Sequence, residues 1–273
     1  MEKLEHELWI VQAVNAIFGP AVNAFLGLFG YHVADPGKVI PNYLVMTYLI
    51  VAVLITLAFV LRSRLSVDNP GKLQIVFEDL VGGLRGMLED IVGPKGPNYL
   101  TLVGTVGAFI LLGNLSGLIP GLMAPTSSIN VTLGCALTVW VYYHLQGVKE
   151  QGIGSYLKHF AAPPGAPVFI APIMLPIELI SHFSRVLSLS LRLFGNIFGE
   201  EMVIAILFSL VPFLVPLPMM FLGIITSSLQ AFIFVMLTMI YLGGAVETDH
   251  GHEDAHAHGQ AHGAAPHAEH AAA

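Results

Sequence analysis

The sequence predicts an all-α integral membrane protein with about five transmembrane helices, amphipathic surface helices, and a long, strongly tilted C-terminal helical hairpin. Three observations lead there. Of 273 residues, 55% are hydrophobic and only 11% charged, which is far from the balance of a soluble domain. Uncharged apolar runs recur at about 20 residues, the length that crosses a hydrocarbon core near 30 Å thick at about 1.5 Å per residue. The charged residues collect in short stretches between those runs, and mean hydropathy over the chain is +0.75.

Residues 1–38 are read as an extracytoplasmic N-terminal segment. Its start, MEKLEHELWIV, lacks the basic, apolar and small-residue sequence of a secretory signal peptide. Leu8 to Phe29 is apolar but carries Gln12, Asn15, Pro20 and Asn23. It is read as an amphipathic helix on the outer surface, with a sixth span as the alternative. The membrane domain covers 39–246. Val39 to Leu61 holds no Asp, Glu, Lys or Arg and stops at Arg62 and Arg64, which makes it the first span. Residues 73–92 place Leu73, Val76, Phe77, Leu80, Leu84 and Leu88 at helical spacing, with Glu78, Asp79, Glu89 and Asp90 elsewhere on the wheel. Such a helix suits the membrane interface or docks as a connector on the other spans. Between Lys95 and Lys149 no charge occurs, and Pro120, Gly121, Pro125 and Asn130 divide the run into two spans. The last block runs from near Pro167 to Val246 and is interrupted by three prolines between Val211 and Pro218, which predicts a second hairpin.

Basic residues set the orientation. Arg62, Arg64, Lys72, Arg85 and Lys95 fall in one connecting stretch and Lys149 and Lys158 in another, while the turns near 120–130 and 211–218 hold none. Positive-inside places both basic stretches in the cytoplasm, the N-terminus outside and the C-terminus inside.

The first arm of the last hairpin, Val168 to Leu210, would be roughly 60 Å long as one helix, about twice a vertical span. It must tilt, break or lie partly at the surface. Glu178, His182, Arg185, Arg192, Asn196 and Glu200 all lie within an arc of roughly 80° on its wheel, while Glu201 stands about 100° outside. A single Arg at the centre of a spanning helix costs roughly 2.5–3.5 kcal/mol, so a charged stripe there needs partners, water or a function. Such a face lines an aqueous path; the alternative is a set of charges that pair internally or sit at headgroup level. Ser188, Ser190, Gly195 and Gly199 around Arg192 would let another helix approach closely. A guanidinium attracts a carboxylate without surrendering its own proton.

Other chemistries find little support. There is no P-loop, nucleophile elbow or metal-ligand spacing in the membrane domain, no nucleic-acid signature in a chain of net charge −7, and no cofactor is expected. The single cysteine, Cys135, reads as a small residue within an apolar stretch. Residues 247–273, rich in Ala, Gly and His, are read as a disordered cytoplasmic tail, with weak Zn²⁺ or Ni²⁺ binding the most it would offer.

The run LSLSLRLFGNIFGEE, Leu187 to Glu201, resembles the signature of subunit a of F-type ATP synthases. LQAFIFVMLTMIYL, Leu229 to Leu242, is similar to that family's last helix, and Asn114 in LLGNLSGLIP to its second-span motif. The resemblance covers about residues 40–245. It implies a non-catalytic stator in the bacterial inner membrane, clasped against a ring of c subunits, held by the subunit b stalk, and bathed in membrane lipid. Two half-channels would each reach mid-membrane from opposite sides, and protons would travel between them on ring carboxylates. Arg192 matches the arginine that holds the deprotonated ring carboxylate and blocks direct leakage. Asn196, Glu201 and Gln230 match polar positions of the channels, as do Glu178 and Arg185 on the same helix. Two departures stand out: Gly117 and Gly223 occupy positions where some members carry an acidic residue and a histidine. Their roles fall to Glu200 and His182 as candidates. A sodium-translocating member of the same family is one alternative, and a secondary transporter another, although no internal repeat of the transporter kind is visible.

Overall fold

The computed structural model describes residues 9–28, 39–67, 69–119, 121–156, 171–210 and 214–246. Pro120, Lys158, Pro167, Pro212 and the 247–273 tail, all used in the sequence reading, lie outside the described residues, as does most of the 1–38 segment beyond its helix. Among the described residues the structure is helical, without a strand: α1 (Trp9–Gly27), α2 (Asn42–Ser63), α3 (Lys72–Val92), α4 (Leu100–Ser116), α5 (Ile129–Gln151), α6 (Ala171–Leu210) and α7 (Pro216–Val246).

Helix α7 is the centre of the bundle, packed by α3, α4, α5 and α6. Its buried side chains include Ala231, Phe234, Val235, Met239 and Leu242, a stripe at spacings of three and four. Register follows from cross-contacts. Asn114 near the end of α4 meets Ser227, and Gln151 at the end of α5 donates to the Ala245 carbonyl at 3.1 Å. Thr132 of α5 faces Ser190 and Tyr143 faces His182. So α4 and α6 run antiparallel to α5 and α7. One end of the bundle holds the turn after α4; the other holds the ends of α3, α5 and α7, where Lys95 pairs with Glu150.

Where helices touch closely, glycine makes room. A methyl at Gly107 would stand 2.6 Å from Val235 Cγ2, and one at Gly243 would stand 3.0 Å from the Ile91 carbonyl. Gly121, with φ of 90°, sits in the turn that divides α4 from α5, and that turn also holds the Pro125–Ser127 3₁₀ segment. Helix α3 settles its two readings by halves. Leu84 and Leu88 pack on the core, whereas Leu73, Val76 and Leu80 stay exposed.

Among the described residues, five helices are long and apolar enough to cross a membrane: α1, α2, the segment from Gly96 through α4, α6 and α7. This differs from the expected set, in which α1 lay on the surface and α5 spanned. Helix α1 reaches the required hydropathy and is anchored through buried Asn15, which exchanges two hydrogen bonds with Ile40. Helix α5 is not in the set because its sequence is too polar, yet Thr132, Ala136, Val139 and Tyr143 are buried against α6 and α7. Its polarity is turned inward. Cys135 is a free, half-buried thiol packed on the same core.

Helix α6 is one unbroken helix of 40 residues, about 60 Å long. Breakage is thereby ruled out, and a helix twice the thickness of the hydrocarbon core must tilt or run along its surface.

Candidate functional site

The buried face of α6 is apolar at Val186, Leu189, Leu193 and Ile197, and the polar stripe runs beside it. Arg192 projects from the exposed side of the helix, to one side of the apolar Leu187 and Leu191, 43% and 55% exposed. Among the described residues its guanidinium has no hydrogen bond or ion pair. One and two turns beyond it, a methyl group on Gly195 or Gly199 would meet nothing within 4 Å. Among the described residues, no helix uses the close approach those glycines allow. The result is a permanently charged group on an open surface, part of the polar stripe of an otherwise apolar helix.

Toward the turn after α4, a polar cluster extends from Asn196. Its Nδ2 donates to Gln230 Oε1 at 2.6 Å, and Gln230 is buried in α7. Buried Asn114 donates to the Ser227 carbonyl at 3.4 Å and accepts from Thr126 Oγ1 at 2.7 Å. Ser227 Oγ and Gln230 Nε2 are buried and, among the described residues, unpartnered. Each such group costs about 1–3 kcal/mol unless water reaches it. Glu201 Oε1 accepts the Ala124 backbone N–H at 2.7 Å, and Glu200 Oε2 accepts from Thr226 Oγ1 at 2.8 Å. Glu201 therefore joins this cluster from off the main stripe, because the turn after α4 folds back onto it.

On the opposite side of Arg192, toward the α5 and α7 C-termini, lie the other stripe residues. Glu178 pairs with His182 at 3.2 Å, and Arg185 stands 5.3 Å from the Tyr241 ring centre, a cation–π distance. The stripe is thus divided by a cation unpaired among the described residues into two polar groups, with Arg185 and Asn196 about three turns apart. Thr126, Thr226, Ser227, Tyr143 and Tyr241 were not anticipated. Gly223, Ser227 and Gln230 fall at i, i+4 and i+7 on α7, a pattern the sequence displays. Thr126 and Tyr143 enter through long-range contacts that no local pattern reveals.

A family model described as ATP synthase A chain matches residues 44–243. The chain belongs to the ATP synthase subunit a family. Membership places it in the membrane sector of that complex, in ion transport. Among similar proteins, ATP synthase subunit a 3 of Pelobacter propionicus is 48% identical over 204 residues, covering 75% of this chain and 87% of that one. The ATP synthase subunit a of Geotalea daltonii is 46% identical over 204 residues, covering 75% and 87%. That of Solibacter usitatus is 44% identical over 230 residues, covering 84% and 97%.

Gly117 and Gly223 acquire a physical meaning in this packing. A methyl at Gly117 would stand 2.8 Å from Glu201 Oε1, and one at Gly223 would overlap Glu200 Oε1. Each glycine vacates space that a carboxylate from α6 fills. The acidic groups sit where side chains from α4 and α7 would otherwise project.

Proposed function

We propose that this chain is the proton-translocating stator of a rotary ATP synthase, working against a ring of c subunits. The observation that carries the reading is Arg192: an exposed guanidinium, unpaired among the described residues, on the polar stripe of an otherwise apolar helix, beside glycines open to a partner helix. It attracts a deprotonated ring carboxylate, and because it keeps its own proton it separates the polar groups on either side. Asn196, Gln230, Asn114, Glu200 and Glu201 line one half-channel. Glu178, His182 and Arg185 line the other. A proton entering by one group neutralises a ring carboxylate, which can then leave the cation and enter lipid; after nearly a full rotation it is released into the other group. Unpartnered Ser227 Oγ and Gln230 Nε2 support an aqueous lining on the first side. ATP chemistry belongs to other subunits, and the b stalk holds this one still. The basic end of the bundle, near Lys95 and Lys149, faces the cytoplasm.

The test is a cross-linking map in the assembled complex. With Cys135 replaced by Ala, a cysteine at Gly195 or Gly199 should form a disulfide with cysteines placed beside the ring carboxylate, while a control at exposed Phe59 on α2 should not. Equal cross-linking at all three, or none at Gly195 and Gly199, would overturn the reading.

A further inference from the structure

The residues around His182 form a second centre that the arginine does not explain. His182 is only 8% exposed, yet both ring nitrogens are engaged. Nε2 stands 3.2 Å from Glu178 Oε1, and Nδ1 stands 2.9 Å from Tyr143 Oη. The Glu178 side chain is 37% exposed, so the imidazole bridges a carboxylate that reaches the surface and a phenol inside the bundle. Charged or titratable groups face it from each element packed there: Glu178 and Arg185 on α6, Tyr143 and His144 on α5, Tyr156 just after α5, and Tyr241 on α7. The His144 ring lies 4.9 Å from that of His182, and its Nδ1 lies 2.6 Å from Tyr156 Oη. His182 is ten residues from Arg192, about 15 Å along the helix.

Resting on the half-channel reading above, we infer that His182 is a proton-relaying residue of the half-channel on this side, carrying protons between Tyr143 and Glu178. A neutral imidazole that satisfies both contacts donates Nε2–H to the Glu178 carboxylate and accepts the Tyr143 O–H at Nδ1. A proton arriving through the Tyr143 hydroxyl binds Nδ1, and the Nε2 proton leaves to Glu178 and then to solvent. One proton enters and one departs, with no net charge retained; the ring is left as its Nδ1–H tautomer, and a ring turn that exchanges the two nitrogens between Tyr143 and Glu178 restores the starting form. Imidazole suits the task because its ordinary pKa, about 6.5, lies near working pH, and because two nitrogens on opposite edges allow entry and exit at different atoms.

The experiment measures passive proton conduction through the assembled membrane sector after the soluble sector is stripped, from acid to alkaline pH, normalised to the amount of this chain in the membrane. His182→Gln keeps polarity and approximate size but cannot titrate. The expected result is a loss of about a hundredfold near neutral pH and disappearance of the inflection in the histidine range. His182→Glu, matched in size to Gln but titratable, should recover part of that loss. Wild-type rate and profile in His182→Gln, or no advantage of Glu over Gln, would overturn the relay. Where His182→Gln does not assemble, Tyr143→Phe, which removes only a hydroxyl, is read in the same way, and an unchanged rate overturns the proposal. Arg192→Ala in parallel membranes keeps the two readings apart: if its coupling is lost while His182→Gln is normal, the relay alone fails.

Discussion

Gly223→Ala is the perturbation whose effect the structure fixes most narrowly. The added methyl would overlap Glu200 Oε1 and stand 2.6 Å from Leu118 Cδ2, about 1 Å inside the optimal carbon–carbon separation. The harder overlap falls on Glu200 Oε1, so the group that must yield is the Glu200 carboxylate, the end of a flexible side chain. Turning away, it gives up the 2.8 Å hydrogen bond from Thr226, a charge-assisted contact worth about 1.5–3 kcal/mol. Taking about 2 kcal/mol, the carboxylate is in place roughly thirtyfold less often. ATP-driven proton pumping in inverted membrane vesicles should therefore fall by no less than about threefold, since water softens the loss, and by about thirtyfold at most. The compensating test moves the ionisable group between helices: Glu200→Gly with Gly223→His should pump better than Gly223→His alone. Wild-type pumping in Gly223→Ala, or a double variant no better than the single one, would refute the account of Glu200.

Other outcomes follow from the same contacts. Asn114→Leu leaves the Thr126 hydroxyl without its 2.7 Å acceptor and removes a second donor from the Ser227 carbonyl at a buried junction of α4 and α7, and should lower stability by about 1–3 kcal/mol, read as a lower midpoint of thermal unfolding of the purified chain in detergent. Glu201→Gln still accepts the Ala124 N–H, so assembly should be normal and pumping only partly reduced; complete loss would show that the charge itself is required. Gln230→Leu breaks the 2.6 Å bond from Asn196 and should likewise reduce pumping without abolishing it. ATP-driven pumping should be independent of added sodium, and a requirement for sodium would reassign the transported ion.

The sequence displays the fold where one helix suffices to define it. Val39 to Leu61 becomes α2 within a few residues, and the proline-interrupted block becomes α6 and α7, because length, hydropathy and helix breakers are local properties. It displays less where polarity faces inward. Helix α5 reads as a span only through its place between charges; its composition falls short because Thr132 and Tyr143 face protein rather than lipid. The stripe on α6 was visible as a stripe, but its division into two groups was not, since Tyr143, Tyr241, Thr126 and Ala124 reach it from residues far away in the chain. Gly117 and Gly223 looked like losses of polar function. Only the packing of α4 and α7 against α6 shows that Glu201 and Glu200 occupy the spaces those glycines leave.

The central claim rests on Arg192, and coupled ATP synthesis in the intact complex tests it most directly. Arg192→Ala should abolish proton-driven synthesis while ATP hydrolysis by the detached soluble sector continues, and Arg192→Lys should also fail, because a lysine beside a carboxylate can lose its proton and lacks the planar fork. Synthesis at the wild-type rate in Arg192→Ala would contradict the account.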